Sequence, residues 1–166
     1  MADEQGIDAL TMAGLAERLG VTAMALYRHV ANKADLLDGV VELLLTEFSL
    51  PPPEIPWQER LASLAVNIRL SARRHPDVFP LLLQRPATTV EARRARDAVC
   101  VALVEAGVPG DRAAQVERLA STAILGFVIS EVAGRFRNHA RKQLDDDFEM
   151  LQSLLARLVH EAGQDR

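Results

Sequence analysis

Residues 10–33, LTMAGLAERLGVTAMALYRHVANK, constrain the fold of this chain more than any other stretch. Thr11 is a good N-cap for a short helix, and Gly20 is typical of the residue that ends one. Only Val21 separates this glycine from Thr22, which is a second N-cap residue. The spacing predicts two short helices joined by a tight turn, which is the helix-turn-helix pattern.

Two further features divide the chain. Asn32 is predicted to cap a third helix, with Asp35 completing a variant of the capping box. Residues 51–53 are three consecutive prolines, which cannot continue a helix. We therefore predict a small N-terminal domain over residues 1–48 and a larger one over residues 49–166.

The larger part is predicted to be helical as well, so the fold class is all-α. Ala and Leu are abundant, and no sustained period-two alternation rich in Val, Ile and Thr indicates a strand. Besides at most two turns within residues 77–84, the predicted helices cover residues 57–74, 89–106, 111–137 and 145–162.

Local signals fix two of these predicted helix starts. Thr88 and Glu91 make a capping box for the helix over residues 89–106. The acidic run at residues 145–147 is expected to begin the last helix, where carboxylates complement the helix dipole.

Composition and the lack of targeting signals indicate the cellular compartment of the protein. The single cysteine, Cys100, excludes an intramolecular disulfide and fits a reducing compartment. No apolar run approaches the ~18 residues of a membrane span, and the first residues do not resemble a signal peptide. We expect a cytoplasmic protein that does not engage a membrane.

Nothing in the sequence supports an enzyme, so we predict no catalytic residue. The chain has no nucleophile elbow, phosphate-binding loop or dinucleotide fingerprint. The four histidines are dispersed, without the spacing of metal ligands. We therefore predict no metal and no cofactor.

The second helix of the helix-turn-helix pattern has an unusual outer face. No Asp or Glu occurs between Glu17 and Asp35, although the formal net charge of the chain is −4. A face without carboxylates suits the approach of phosphates, while a solvated basic face is an equal alternative from the pattern alone. Four polar or cationic side chains fall within seven positions: Tyr27, Arg28, His29 and Lys33.

The segment LTMAGLAERLGVTAMALYRHVANKADLL closely resembles the DNA-binding segment of tetracycline-repressor-like (TetR family) transcriptional regulators. The resemblance covers about residues 6–41, and LYRHV followed two residues later by Lys33 and then by LL is its most specific part. It implies a homodimeric, ligand-responsive regulator, most simply a repressor. Such a regulator binds a palindromic operator in double-stranded DNA and is released by a small-molecule effector.

The resemblance also implies which residues contact DNA. Residues 22–30 correspond to the recognition helix in the major groove. Within it, Arg28 is the side chain able to pair bidentately with guanine, whereas Ala and Met suit thymine methyl groups. Phosphate contacts are expected from Thr11, Tyr27, His29 and Lys33. The whole predicted DNA-binding set is Thr11, Thr22, Ala23, Met24, Ala25, Tyr27, Arg28, His29 and Lys33.

By the same resemblance, the last two helices form a four-helix dimer bundle with their mates, and the effector lies between helices 57–74, 89–106 and 111–137. His75 also fits an ordinary loop histidine, and Glu131 also fits an ion pair with Arg135, four residues on. The predicted effector-binding residues are Trp57, His75, Phe79, Phe127 and Glu131.

The chain departs from the family pattern at its start. The family has a full first helix, and only residues 1–6 correspond to the end of it. We expect either that Met1 is not the natural start or that this form is impaired in DNA binding. A second class of function therefore stays open, namely a dimeric small-molecule-binding or protein-interaction module that no longer binds DNA.

Overall fold

The structure is a computed structural model that describes residues 6–7, 9–85 and 90–164, without the side chains of residues 91 and 92. These residues form helices and no strand, which confirms the all-α prediction. The helices are α1 Met12–Leu19, α2 Ala23–Tyr27, α3 Lys33–Thr46, α4 Trp57–Arg74, α5 Leu81–Gln84, α6 Val90–Glu105, α7 Gly110–Val132 and α8 Arg141–Gln164.

Within the described ranges, no helix combines the length and the hydropathy that a membrane span needs. The predicted capping box of Thr88 and Glu91 lies outside the described residues and side chains.

The predicted caps form the turn between α1 and α2. The Gly14 amide donates to the Thr11 hydroxyl oxygen at 3.1 Å, and the Ala25 amide donates to that of Thr22 at 3.2 Å. Gly20 ends α1 in the left-handed conformation, with φ 67° and ψ 27°, a region that only glycine enters without strain. These contacts join neighbouring residues, so the local sequence specifies the helix ends and the turn of the helix-turn-helix.

The start of α3 uses a variant of the capping box. The Asp35 amide donates to the Asn32 side-chain oxygen at 3.0 Å, as predicted. The Asp35 carboxylate in turn accepts a hydrogen bond from the Ala31 amide at 2.8 Å, one residue earlier than in the usual box. This carboxylate is therefore engaged by the backbone at the end of the carboxylate-free segment.

Two predicted helix boundaries in the larger part of the chain differ from the structure by four residues or more. Helix α7 ends at Val132 rather than at residue 137, because Gly134 adopts a φ of 75° and the Arg135 amide bonds back to the Ser130 carbonyl at 3.0 Å. Helix α8 begins at Arg141, so residues 145–147 lie beyond its first turn. The prediction that these acids begin the helix and complement its dipole is wrong.

One hydrophobic core joins α3 to the larger helical part. Buried side chains of α3, including Val41 and Leu44, pack in the same cluster as Ala72 of α4, Val128 of α7 and Phe148 of α8. The connection at residues 49–56 therefore does not separate two cores. The division into domains at residue 49 stays a prediction.

A network of charged groups fixes α4 against α7 and α8. Arg69 donates two hydrogen bonds of 2.7 Å to the Glu131 carboxylate, and Arg73 donates a third of 2.7 Å. Both arginines also contact Asp145, at 2.9 and 3.1 Å. The Arg69 guanidinium carbon lies 4.6 Å from the ring centroid of Phe148. The predicted pair of Glu131 with Arg135 is therefore wrong, because the carboxylate faces α4.

The network sets the protonation of its acids. Burial by itself raises the pKa of Glu131, but the hydrogen bonds and charges of Arg69 and Arg73 outweigh it and lower that pKa. The hydrogen bond from Arg73 is the main reason that the pKa of Asp145 is lowered. Both groups are therefore held as carboxylates.

Both ends of α3 are tied to the part of the chain around α4 and α5. Arg85 donates to the Ala34 carbonyl oxygen at 2.9 Å and pairs with Asp38 near the start of α3. At the other end, the Glu47 carboxylate lies 3.2 Å from His75 Nε2 and 3.6 Å from an Arg74 nitrogen. These contacts fix the position of α3 relative to the larger helical part.

Candidate nucleic-acid interface and ligand cavity

Helix α2 is anchored by one side and exposes the other. Leu26 is buried beneath it, whereas Met24 on the outside is 72% exposed and Tyr27 is also exposed. The regular helix ends at Tyr27, but the His29 amide still bonds to the Leu26 carbonyl at 2.9 Å. The segment predicted as residues 22–30 is therefore a short helix followed by a turn.

Most of the predicted DNA-binding positions are open to solvent. Ala25 and Lys33 are half-buried, and the other seven are exposed. Thr11 and Thr22 are the N-caps of α1 and α2, and Lys33 is the first residue of α3. Since each cap uses its hydroxyl oxygen as an acceptor, its hydrogen is left to donate to a phosphate.

The larger helical part contains an apolar cavity of about 130 Å³. It lies between α4, α6 and α7, where the effector is predicted to bind, and α8 adds a further wall. Among the side chains that line it are Trp57, Leu61, Ile68, Val99, Leu103, Ala120, Ser121, Ile124, Gln152, Leu155, Ala156 and Val159.

The structure does not bring the five predicted effector-binding residues together. Of these residues only Trp57 lines the cavity. Phe79 is fully buried 6.4 Å from the ring of Phe48, and Phe127 packs 5.5 Å from the ring of Phe148. His75 pairs with Glu47, and Glu131 belongs to the arginine network, as described above.

A signal for the missed lining residues was present in the sequence. Leu61, Leu64, Ala65 and Ile68 follow Trp57 on one apolar face of α4, and each of them borders the cavity. Aromatic and histidine residues elsewhere in the chain were a poorer guide, because packing and ion pairing account for them.

Comparison with known proteins places both parts of the chain in one family. Residues 1–40 match the bacterial regulatory proteins of the tetR family, and residues 50–164 match the tetracyclin repressor-like C-terminal domain. The chain is 33% identical over 144 residues to the class A tetracycline repressor protein from transposon 1721 of Escherichia coli. This alignment covers 81% of the chain and 63% of the repressor.

Solved structures agree with this match. A single-residue variant of TetR from Acinetobacter baumannii AYE, in complex with minocycline, is 30% identical with a TM-score of 0.79, over 93% of this chain and 88% of that one. BioQ with its natural double-stranded DNA operator is 28% identical with a TM-score of 0.76, over 93% and 90%.

The chain spans about 60% of the length of the first curated relatives, among them an HTH-type transcriptional regulator of Saccharopolyspora erythraea. The two family matches nevertheless extend over most of its own residues. This protein belongs to the tetR family of bacterial regulatory proteins.

Proposed function

We propose that this chain is a cytoplasmic, homodimeric transcriptional repressor, which a small molecule releases from a palindromic operator. The observation that carries the proposal is the exposed, carboxylate-free face of α2 in a member of this family. The relatives crystallised with operator DNA and with minocycline support the two kinds of partner.

On DNA, α2 enters the major groove with its exposed side toward the bases. Arg28 pairs with a guanine, and Ala23, Met24 and Ala25 contact thymine methyl groups. The caps Thr11 and Thr22, with Tyr27, His29 and Lys33, contact phosphates. Because few of the base-facing side chains form hydrogen bonds, DNA shape and phosphate positions contribute much of the specificity.

The dimer forms through α7 and α8. Met150, Leu154 and Leu158 lie at i, i+4 and i+8 on α8, and all three are exposed in the single chain, as is Leu119 on α7. A second copy covers this stripe in a self-complementary interface. Two recognition helices then reach half-sites about 34–36 Å apart.

Helix α4 links the cavity to the DNA-binding part. Its first three turns line the cavity, while Arg74 and His75 at its other end contact Glu47, which follows α3. A ligand that shifts α4 therefore changes the position of α3 and of the helix-turn-helix. The ligand releases DNA only if it binds the released state more tightly than the DNA-bound state.

Lys33→Ala tests the phosphate contacts. We expect weaker binding to all duplexes to a similar degree, with the slope of log K against log salt less negative by about 1.8 per dimer, or about 0.9 per phosphate contact. The measurement is a fluorescence anisotropy titration at several salt concentrations, on an operator obtained by selection from random duplexes. Lys142→Ala removes the only other lysine, on an exposed part of α8, and should leave the slope unchanged. An unchanged slope for Lys33→Ala would contradict the assignment.

Arg28→Ala tests the reading of base edges. The variant loses one bidentate pair in each half-site, which should cost about 1–3 kcal/mol per half-site, or about 2–6 kcal/mol for the dimer on the selected operator. It should also relax the preference at one position of each half-site. Repeating the selection with the variant measures this directly. If the variant selects the same operator with the same stringency, Arg28 does not read a base.

A further inference from the structure

The described residues around the cavity between α4, α6, α7 and α8 provide no counterion for a charged ligand. No Asp, Glu, Lys, Arg or His is among the described residues that line it. A carboxylate or an ammonium group that entered would lose its hydration without gaining a partner of opposite charge. The walls therefore select a molecule without charge.

The cavity also offers few free hydrogen-bonding groups. Ser121 donates its hydroxyl hydrogen to the Glu117 carboxylate at 2.8 Å, and Gln152 donates from its amide nitrogen to the Ala62 carbonyl at 3.1 Å. The other described polar groups that border the cavity are the Gln58 amide and the Trp57 indole N–H. A ligand with many hydroxyl or amide groups would leave most of them unpaired, which costs affinity.

The volume indicates the size of the group that the cavity can bury. At about 130 Å³ the cavity is close to the ~150 Å³ apolar cavity that stays dry and binds benzene. We propose that it binds an uncharged, mainly hydrophobic molecule of about the size of one substituted benzene ring. This inference rests on the proposed function in one respect, since it makes that molecule the effector.

The only tryptophan of the chain, Trp57, lines this cavity and reports on its contents. Titration with toluene should change the Trp57 fluorescence in a saturable way. Benzoate, which has the same ring and a carboxylate, should bind at least about 100-fold more weakly, because its charge would lose hydration. Minocycline, a larger molecule with many polar groups, should produce no saturable change.

Cavity-filling variants locate the binding. Ala120→Phe should abolish the toluene response, whereas Val101→Phe, at an exposed position of α6 that does not line the cavity, should retain it. Because Ala120→Phe can disturb folding, a second variant is needed. Ala156→Phe places the same ring at an exposed position that borders the cavity, and it should also abolish the response. Circular dichroism establishes that each variant is folded.

Two results would overturn the proposed class of ligand: benzoate or minocycline binding as tightly as toluene, or a toluene response that survives both cavity-filling variants. The titration needs no DNA, so its result is separate from the proposed function. Saturable toluene binding by a protein that binds no selected duplex would support the class of ligand and overturn the repressor. Toluene binding that leaves operator affinity unchanged would overturn its role as effector.

Discussion

Glu131→Ala is expected to destabilise the fold by about 3–5 kcal/mol, because it leaves the Arg69 guanidinium buried without its main partner. The side chains of Glu131 and Arg69 are each only 8% exposed. Urea unfolding followed by circular dichroism, at fixed protein concentration, measures the loss. Arg135→Ala is the matched control, because this exposed arginine is not the partner of Glu131 and its removal should cost less than about 0.5 kcal/mol.

The pH dependence of stability gives the same prediction a second readout. The pKa of Glu131 in the folded state lies below its ordinary value of 4.5, so folding favours the carboxylate. Its stabilisation is complete above pH 4.5 and is lost as the pH falls through the folded pKa. The free energy of unfolding of Glu131→Ala should therefore fall less steeply with decreasing pH than that of the wild type. Equal costs for Glu131→Ala and Arg135→Ala would show that the network does not support the fold.

The parts of the fold that the sequence predicted well depend on neighbouring residues. The caps at Thr11, Thr22 and Asn32 each bond to an amide three residues along the chain, so a rule on spacing finds them. The turn at Gly20 follows from the freedom of glycine at positive φ. These features define the helix-turn-helix, which is why its bounds agree with the prediction to within a residue at most ends.

The parts that the sequence predicted poorly depend on distant residues. Glu131 meets Arg69 across 62 positions of the chain, so its nearness to Arg135 in sequence was misleading. Asp145 takes part in the same network. Its position within α8 is therefore explained by ion pairs with α4 rather than by the dipole of its own helix. Phe79 and Phe127 are predicted to line the effector site, and in the structure Phe79 lies in the hydrophobic core and Phe127 packs against it. Their part in effector binding stays a prediction.

The cavity was predictable from the sequence only in part. Its place between the helices was predictable from the family resemblance, and its α4 wall follows from the apolar periodicity after Trp57. The contribution of α8 was not predictable, because it depends on how that helix crosses the others. The absence of charged groups among its described lining residues emerges only when the walls are assembled.

Leu154→Glu is expected to dissociate the dimer. Leu154 is 53% exposed in the single chain and lies midway along the stripe with Met150 and Leu158. At a two-fold interface the substitution buries two carboxylates, one from each copy. A cost of at least about 4 kcal/mol raises the dimer dissociation constant about 1,000-fold. Analytical ultracentrifugation over a range of concentrations measures it.

Leu83→Glu is the matched control for this substitution, because Leu83 on α5 is similarly exposed, at 56%, and lies away from the proposed interface helices. It should leave the dimer intact. The monomeric Leu154→Glu protein should also bind the selected operator far more weakly, since each recognition helix would then engage its half-site without the other. A Leu154→Glu protein that dimerises like the wild type would place the interface elsewhere. Strong operator binding by a true monomer would remove the need for two-fold symmetry and, with it, the prediction of a palindromic site.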